Sequence, residues 1–162
     1  MTSIDIYIDI DGVILRRTGR IEFGGRTDFA VAPGAIEFLK WATENFNCYW
    51  LTSRSHDGSY AGIERAFRFA IPANNLPEEI RAAIHAIRPA AWHKSKIEGI
   101  DQSRNFYWVD DDADDASVAA LEAAGLSSRL VAASTDERPD DLVRVREVLE
   151  MAIVNKPGAA HQ

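Results

Sequence analysis

The fold is decided by residues 6–15, which read Ile6-Tyr-Ile-Asp-Ile-Asp-Gly-Val-Ile-Leu15. The β-branched and aromatic side chains at the start of this stretch predict a buried strand. Because side chains two positions apart in a strand point to the same side, Asp9 and Asp11 are expected to share a face. Gly12 allows the backbone to leave the strand in a conformation that other residues avoid. Taken alone, the stretch fits a strand capped by turn residues as well as it fits a reactive site.

The bulk composition is typical of one globular domain. The chain has 162 residues, of which 46% are hydrophobic and 27% are charged, and this length is enough to bury a core. The net charge of −7 disfavours non-specific binding to nucleic acid, so nucleic acid is expected as a partner only if it is the substrate. Cys48 is the one cysteine, and its apolar surroundings predict a buried, unreactive thiol.

The amino-terminal segment lacks the features of a targeting sequence. Asp5, Asp9 and Asp11 interrupt its apolar stretch, and no basic region precedes it. We therefore expect no signal peptide, no membrane-spanning segment and no membrane partner, and a cytoplasmic protein. Nothing in the sequence indicates an oligomeric state.

Predicted strands and helices alternate along the rest of the chain. The strands predicted after the first lie at 48–51, 105–109 and 129–133, with a short edge piece at 89–93. The predicted helices lie at 33–45, 60–70, 77–87, 113–124 and 139–153, with a short helix or turn at 94–100. Residues 16–31 are predicted to form a small hairpin flap with arms at 20–23 and 27–31.

This alternation predicts a single α/β domain over residues 1–154 with a mostly parallel central sheet, followed by a disordered tail at 155–162. Ligands of such sheets bind at the carboxyl ends of the strands. Three predicted strand ends carry acids or hydroxyls, namely Asp9 with Asp11, Thr52 with Ser53 and Arg54, and Asp110 with Asp111. A site is therefore expected where these ends meet.

The chemistry of that site follows from its acids. The carboxylates that would share a small volume are Asp9, Asp11, Asp110, Asp111 and Asp115. Two like charges about 4 Å apart repel by roughly 4 kcal/mol at an effective dielectric near 20, and Mg²⁺ with oxygen ligands would relieve that repulsion. Lys94 or Lys96 could offset the remaining charge. A carboxylate in this setting can attack phosphorus, and a second one can act as acid and then as base.

Four motifs, in this order and over nearly the whole chain, resemble those of the haloacid dehalogenase-like (HAD) superfamily. They are Asp9-Ile-Asp11-Gly12-Val13, the apolar strand ending at Thr52-Ser53-Arg54, a lysine that is Lys94 or Lys96, and Asp110-Asp111 with Asp115. The resemblance implies a Rossmann-like three-layer sandwich. It also implies a phosphorylated substrate and Mg²⁺ as the cofactor.

The resemblance also implies catalytic roles. Asp9 would be the nucleophile that forms an aspartyl-phosphate, and Asp11 the general acid/base. Superfamily members that dehalogenate carbon lack the second acid, so Asp11 favours a phosphatase. Thr52 would bind the transferring phosphoryl group. The lysine would steady Asp9 and the phosphate, and its distance from the acidic strand end favours Lys94 over Lys96.

The remaining candidates concern the metal and the substrate. The implied metal ligands are Asp9, Asp11 through its backbone carbonyl, Asp110, Asp111 and Asp115, with Asp111 completing the site. The further candidates for substrate contacts are Gly12, Ser53 and Arg54. For Arg54 a solvent-facing loop position is an equal alternative.

The spacing of the motifs resembles the capless class of the superfamily, which has no large cap domain and usually accepts large substrates such as protein or nucleic-acid ends. Residues 50–112 also resemble, loosely, the small HAD domains of bacterial RNA-repair proteins. Whether the 16–31 hairpin acts as a lid stays open. Two alternatives also remain open: a catalytically idle module that binds metal and phosphate, and a phosphotransferase.

Overall fold

A five-stranded parallel β-sheet forms the centre of the structure, a computed structural model that describes residues 3–21, 27–71 and 76–155. The strands of these ranges are β1 (Asp5–Ile8), β2 (Leu15–Ile21), β3 (Thr27–Val31), β4 (Asn47–Trp50), β5 (Arg88–Pro89), β6 (Phe106–Asp110) and β7 (Leu130–Ala132). Their helices are α1 (Ala35–Asn45), α2 (Ala61–Ala70), α3 (Glu78–His85), α4 (Asp115–Ala123) and α5 (Asp141–Val154). The order across the sheet is β5-β4-β1-β6-β7.

The first strand, β1, is the central strand of the sheet, and both of its edges and both of its faces are covered. It pairs in parallel with β4 on one side and with β6 on the other. Ile6 and Ile8 are fully buried in the larger of two apolar clusters, whereas Tyr7 is buried in the other. A strand buried on both faces is expected to be a nearly continuous apolar run, as β1 is.

Helices cover both faces of the sheet. The larger cluster joins the Ile6 and Ile8 face to side chains of α1, α2, α3 and α5. The smaller cluster joins the Tyr7 face to Leu121 of α4 and to Ile97, which lies in a 3₁₀ turn at Lys96–Gly99. The predicted α/β architecture with a parallel sheet flanked by helices is thus confirmed.

The hairpin begins earlier than predicted, and the first strand ends earlier. The strand was expected to end at Asp9, Asp11 and Gly12, but it ends at Ile8, and the backbone turns after Ile10. The carbonyl of Ile10 accepts hydrogen bonds from the amides of Val13, Ile14 and Leu15 at 2.9–3.2 Å. The chain then pairs at once with β3, with Leu15 opposite Val31. Residues 22–26 lie outside the described residues, so part of the predicted 20–23 arm is not compared.

The helices agree with their predicted positions to within a few residues. The first one begins at Ala35 rather than at 33, since Gly34 at its amino end has a φ of 72°. The predicted edge piece at 89–93 is the two-residue strand Arg88–Pro89. Most of the predicted tail, residues 156–162, lies outside the described residues, and the single-domain assignment stays a prediction.

Two narrower expectations can be compared with the structure. Cys48 is buried, and burial raises the pKa of its thiol to about 12, so the thiol stays protonated at neutral pH, as expected of an unreactive core cysteine. Within the described ranges, no helix has the length and apolar character needed to cross a membrane.

Candidate functional site

The register of the three central strands brings their acidic ends together. Ile8 pairs with Trp50 of β4 and with Val109 of β6. The pairing continues one residue further, because the amide of Asp9 donates to the carbonyl of Val109 at 3.0 Å. Asp9 therefore lies beside Asp110, the last residue of β6. Parallel strands in register end at the same edge, as the sequence predicted.

Three carboxylates form a cluster at this edge. Asp9, Asp110 and Asp111 each offer an oxygen, and these oxygens lie within 4.8 Å of one another. Asp9 and Asp110 are buried, whereas Asp111 is partly exposed. We call these three residues the acid cluster. The cluster contains three of the predicted metal ligands.

The lysine that reaches the acid cluster is Lys96, which corrects the preference for Lys94. The ammonium of Lys96 lies 3.2 Å from Oδ1 of Asp9 and 2.7 Å from Oδ2 of Asp110. Its side chain is buried, whereas Lys94 is exposed. Burial by itself lowers the pKa of Lys96, but Asp9 and Asp110 more than offset that effect and the pKa is raised. Lys96 is therefore a charged partner of the cluster at neutral pH.

Asp110 is held by several donors and in turn holds Lys96. Its Oδ2 accepts from Lys96 and, at 3.0 Å, from the indole N–H of Trp108. Its Oδ1 accepts from the amide of Asp112 at 2.9 Å. Trp108 is fully buried in the core, and it also positions this carboxylate. The sequence contains a signal for this contact, because Trp108 and Asp110 are two residues apart on one strand and such residues share a face.

The electrostatics of the acid cluster fit a divalent cation. Burial and the neighbouring Asp110 raise the pKa of Asp9 well above its usual range, and Lys96 only partly opposes them. The pKa of Asp111 is raised as well, chiefly by burial. The three carboxylates share the buried ammonium of Lys96, and the only other cation beside them among the described residues is Arg17, which lies 3.9 Å from Asp111. A hard dication such as Mg²⁺, which prefers oxygen ligands, would relieve this repulsion.

Gly12 is required by the acid cluster for steric reasons. Its φ is 78°, and a Cβ atom at this position would overlap Oδ2 of Asp111. The carbonyl of Gly12 also accepts from the amide of Thr135 at 2.8 Å. Gly12 therefore lets the first loop approach the Asp111 carboxylate, whether or not it also touches a substrate.

Asp11 does not join the acid cluster with its side chain. Its carboxylate forms a two-point ion pair with Arg54, at 2.8 Å to Nε and 3.1 Å to Nη2. The expectation that Asp9 and Asp11 point the same way is wrong, because the strand ends before Asp9 and the alternation of side chains ends with it. The backbone of Arg54 is itself closely packed, since a Cβ on Gly62 would overlap its carbonyl oxygen.

Thr52 lies directly after β4 and is fully buried. Its hydroxyl accepts from the amide of Arg54 at 3.1 Å, so its own O–H can donate elsewhere. Its carbonyl accepts from the indole N–H of Trp92 at 3.0 Å. Ser53 is exposed on the adjoining turn. Of these two hydroxyls, only that of Thr52 is fixed by its surroundings.

Asp115 was predicted to be a metal ligand, but it lies outside the acid cluster, and its neighbour Asp114 has a structural role. Asp115 is exposed at the start of α4 and is not part of the acid cluster. Asp114 caps the helix by accepting from the amide of Ser117 at 2.9 Å, and it also accepts from the amide of Lys96 at 3.1 Å. The sequence signal for this role is an aspartate just before a predicted helix, because aspartate is a preferred residue at the amino-terminal cap.

Sequence reasoning missed Arg17, which the hairpin contributes to the site. Arg17 pairs with Asp136 at 2.5 Å, and its Nη1 lies 3.9 Å from Oδ2 of Asp111. Phe29, opposite Arg17 in the hairpin, contacts the guanidinium groups of both Arg17 and Arg54. A hairpin arm starting at residue 15 would have placed Arg17 opposite Phe29, but the predicted arm started at residue 20.

No family model matches this chain, and no curated protein matches it either.

Proposed function

We propose that this protein is a Mg²⁺-dependent phosphomonoesterase that forms an aspartyl-phosphate on Asp9. The proposal includes membership of the HAD superfamily in its capless form, with a Rossmann-like three-layer sandwich. The observation that carries it is the acid cluster at the carboxyl edge of the sheet, with the Lys96 ammonium buried against Asp9 and Asp110.

Asp9 is the proposed nucleophile because it is the cluster carboxylate nearest the end of the central strand and it contacts Lys96. One of its oxygens attacks phosphorus, forming a new O–P bond while the bond from phosphorus to the leaving oxygen breaks. Asp11, once it has left Arg54 and taken up a proton from solvent, delivers that proton to the leaving oxygen. Lys96 and the Thr52 hydroxyl stabilise the charge on the remaining phosphoryl oxygens, since preorganised donors are most effective where charge develops.

The second step regenerates the carboxylate. Asp11, now ionised, takes a proton from a water molecule, and the resulting hydroxide attacks the phosphorus atom of the aspartyl-phosphate. The O–P bond to Asp9 breaks and inorganic phosphate leaves. Asp11 must stay apart from Arg54 during both steps, and its partial exposure allows such a movement.

The residues that would hold the metal are Asp9, Asp111 and the backbone carbonyl of Asp11. Asp110 contributes indirectly, because both of its oxygens already accept hydrogen bonds. A bound Mg²⁺ would supply charge neutralisation that allows two anions, a carboxylate and a phosphate, to meet. The mutual repulsion of the cluster carboxylates, which raises the pKa of Asp9, would be relieved by such a cation.

The test is phosphate release from an aryl phosphate with Mg²⁺ or with EDTA. We expect turnover only with Mg²⁺, and none in Asp9→Asn, which removes the nucleophile without changing its size. Asp112→Asn is the matched control, because Asp112 is an exposed neighbour that uses only its backbone amide in the site. Full activity in Asp9→Asn would refute the covalent mechanism.

A non-catalytic metal-binding module is the second candidate, because Arg54 engages both oxygens of Asp11. In that case Mg²⁺ would raise the melting temperature, yet no phosphomonoester would be hydrolysed. A phosphotransferase shares the covalent step. It would be recognised by transfer of phosphate to an added alcohol faster than to water.

A further inference from the structure

Two arginines and one phenylalanine lie together beside the acid cluster. Arg17 of β2 and Arg54 after β4 each place the guanidinium carbon 5.5 Å from the centre of the Phe29 ring. At this distance the ring attracts each guanidinium electrostatically. We call Arg17, Phe29 and Arg54 the arginine rim.

The arginine rim lies against the proposed catalytic groups. Arg54 is paired with Asp11, and Nη1 of Arg17 lies 3.9 Å from Oδ2 of Asp111. Both arginines nevertheless face solvent, with 45% of the Arg17 side chain and 37% of the Arg54 side chain exposed. The rim therefore borders the site on one side and open solvent on the other.

Each of the two guanidinium groups has N–H donors that are available to bind an anion. A guanidinium has five N–H donors in a planar fork that suits phosphate. Arg54 uses Nε and Nη2 for Asp11, and Arg17 uses Nη1 for Asp136. Within the described part of the chain, Nη1 of Arg54 and both Nε and Nη2 of Arg17 have no acceptor. These N–H groups could bind an anion that arrives at the rim.

Building on the proposed phosphomonoesterase activity, we infer that the arginine rim selects substrates that carry a second phosphate group near the one that is hydrolysed. The first phosphate is bound by the groups around Asp9. The second then lies at the rim, where Arg17 and Arg54 bind it. A purely structural role would need only the pairs with Asp11 and Asp136 and would confer no such selectivity.

Two matched substrate pairs test this inference. A hexose 6-phosphate is compared with the hexose 1,6-bisphosphate, and a nucleoside 5′-phosphate with a 5′-phosphorylated dinucleotide that adds one phosphodiester. In at least one pair, we expect kcat/KM of the wild type to favour the doubly phosphorylated member by about tenfold or more, the effect of roughly one charged hydrogen bond. The pair that shows the preference identifies the source of the second phosphate.

The variants Arg17→Gln and Arg54→Gln should each reduce this ratio, and the double variant should bring it close to one. The ratio is the proper readout, because Arg54→Gln also frees Asp11 and can change the rate on every substrate. Arg146→Gln is the control for lost charge, since Arg146 contacts Glu150 and Trp41 and no residue of the site. It should leave the ratio unchanged.

The outcomes separate the two proposals. Hydrolysis of all four compounds with ratios near one in the wild type would overturn the inference while the phosphomonoesterase stands. If nothing is hydrolysed, the phosphomonoesterase fails, and calorimetric affinities for the same four compounds decide the selectivity of the rim. The inference about the arginine rim would be overturned by equal affinities within both pairs, or by a preference that persists in the double variant.

Discussion

Replacing Lys96 with methionine is the sharpest perturbation of the acid cluster. The substitution keeps a long, flexible side chain in the same space and removes only the ammonium. Two carboxylates would then lose their closest cation, since the ammonium is 3.2 Å from Asp9 and 2.7 Å from Asp110. Asp110 would keep its bonds from Trp108 and Asp112, so its position would be maintained.

The expected cost follows from the burial of the pair. Removing one partner of a buried ion pair typically costs about 3–5 kcal/mol of unfolding free energy. At roughly 2–4 °C per kcal/mol for a chain of this size, the melting temperature should fall by about 6–20 °C. Lys96 has a folded pKa above its ordinary value, so its contribution is fully present below its unfolded pKa of about 10.4 and is lost only above that pH. The difference should therefore persist throughout the neutral range.

The assay is thermal unfolding at pH 7, in EDTA and in Mg²⁺, with Lys94→Met as the matched control. Lys94 is exposed, so its substitution should change the free energy of unfolding by no more than about 0.5 kcal/mol. Part of the loss in Lys96→Met should be recovered by Mg²⁺, because the dication can replace the missing positive charge. Phosphatase activity should be lost in Lys96→Met and kept in Lys94→Met.

The reasoning would be refuted if the two lysine variants melted at the same temperature. Equal loss of activity in both variants would equally contradict the assignment of Lys96 as the partner of Asp9.

Two further predictions concern the first loop and the last helix. Gly12→Ala should cost more stability than Gly19→Ala and should weaken Mg²⁺ binding in calorimetry. Both glycines have a φ near 78°, so placing alanine at either position should cost about 1–2 kcal/mol of backbone strain. Only at Gly12 would the new Cβ also overlap Asp111. Equal losses of stability in the two variants would contradict this contact. Asp141→Asn should lower the free energy of unfolding at pH 7 by about 1.5–3 kcal/mol, the value of a hydrogen bond to a charged group. Arg144 holds the pKa of Asp141 below its usual range, so this contribution is present above the unfolded pKa of about 3.9 and is lost as the pH falls through the lower, folded value. Urea titrations from pH 7 down to pH 3 should show the two proteins converging, and a constant difference would exclude the ion pair as the cause.

The sequence predicted the architecture because the signals for it are local. A buried parallel strand needs an apolar run, and a helix needs a 3.6-residue period; both patterns are visible without any knowledge of contacts. The alternation of the two, with acids at the ends of the 6–8 and 106–109 runs, was sufficient to predict that Asp9 and Asp110 would meet. The chemistry of the proposed site was suggested in the same way, by residue types at strand ends.

The tertiary structure alone decided which of the nearby candidates reach the acid cluster. Lys94 and Lys96 are equally basic, and the 3₁₀ turn that directs one inward depends on a bond from the Lys96 amide to Asp114, 18 residues away. Asp11 turns to Arg54 because the strand ends at Ile8, a boundary set by where pairing with the neighbouring strands stops. Composition and periodicity report the identity and spacing of side chains, whereas the direction of a side chain outside regular structure depends on partners distant in sequence. The sequence therefore determined the sheet and the residues at its edge, and only the packed chain determined the direction of each side chain there.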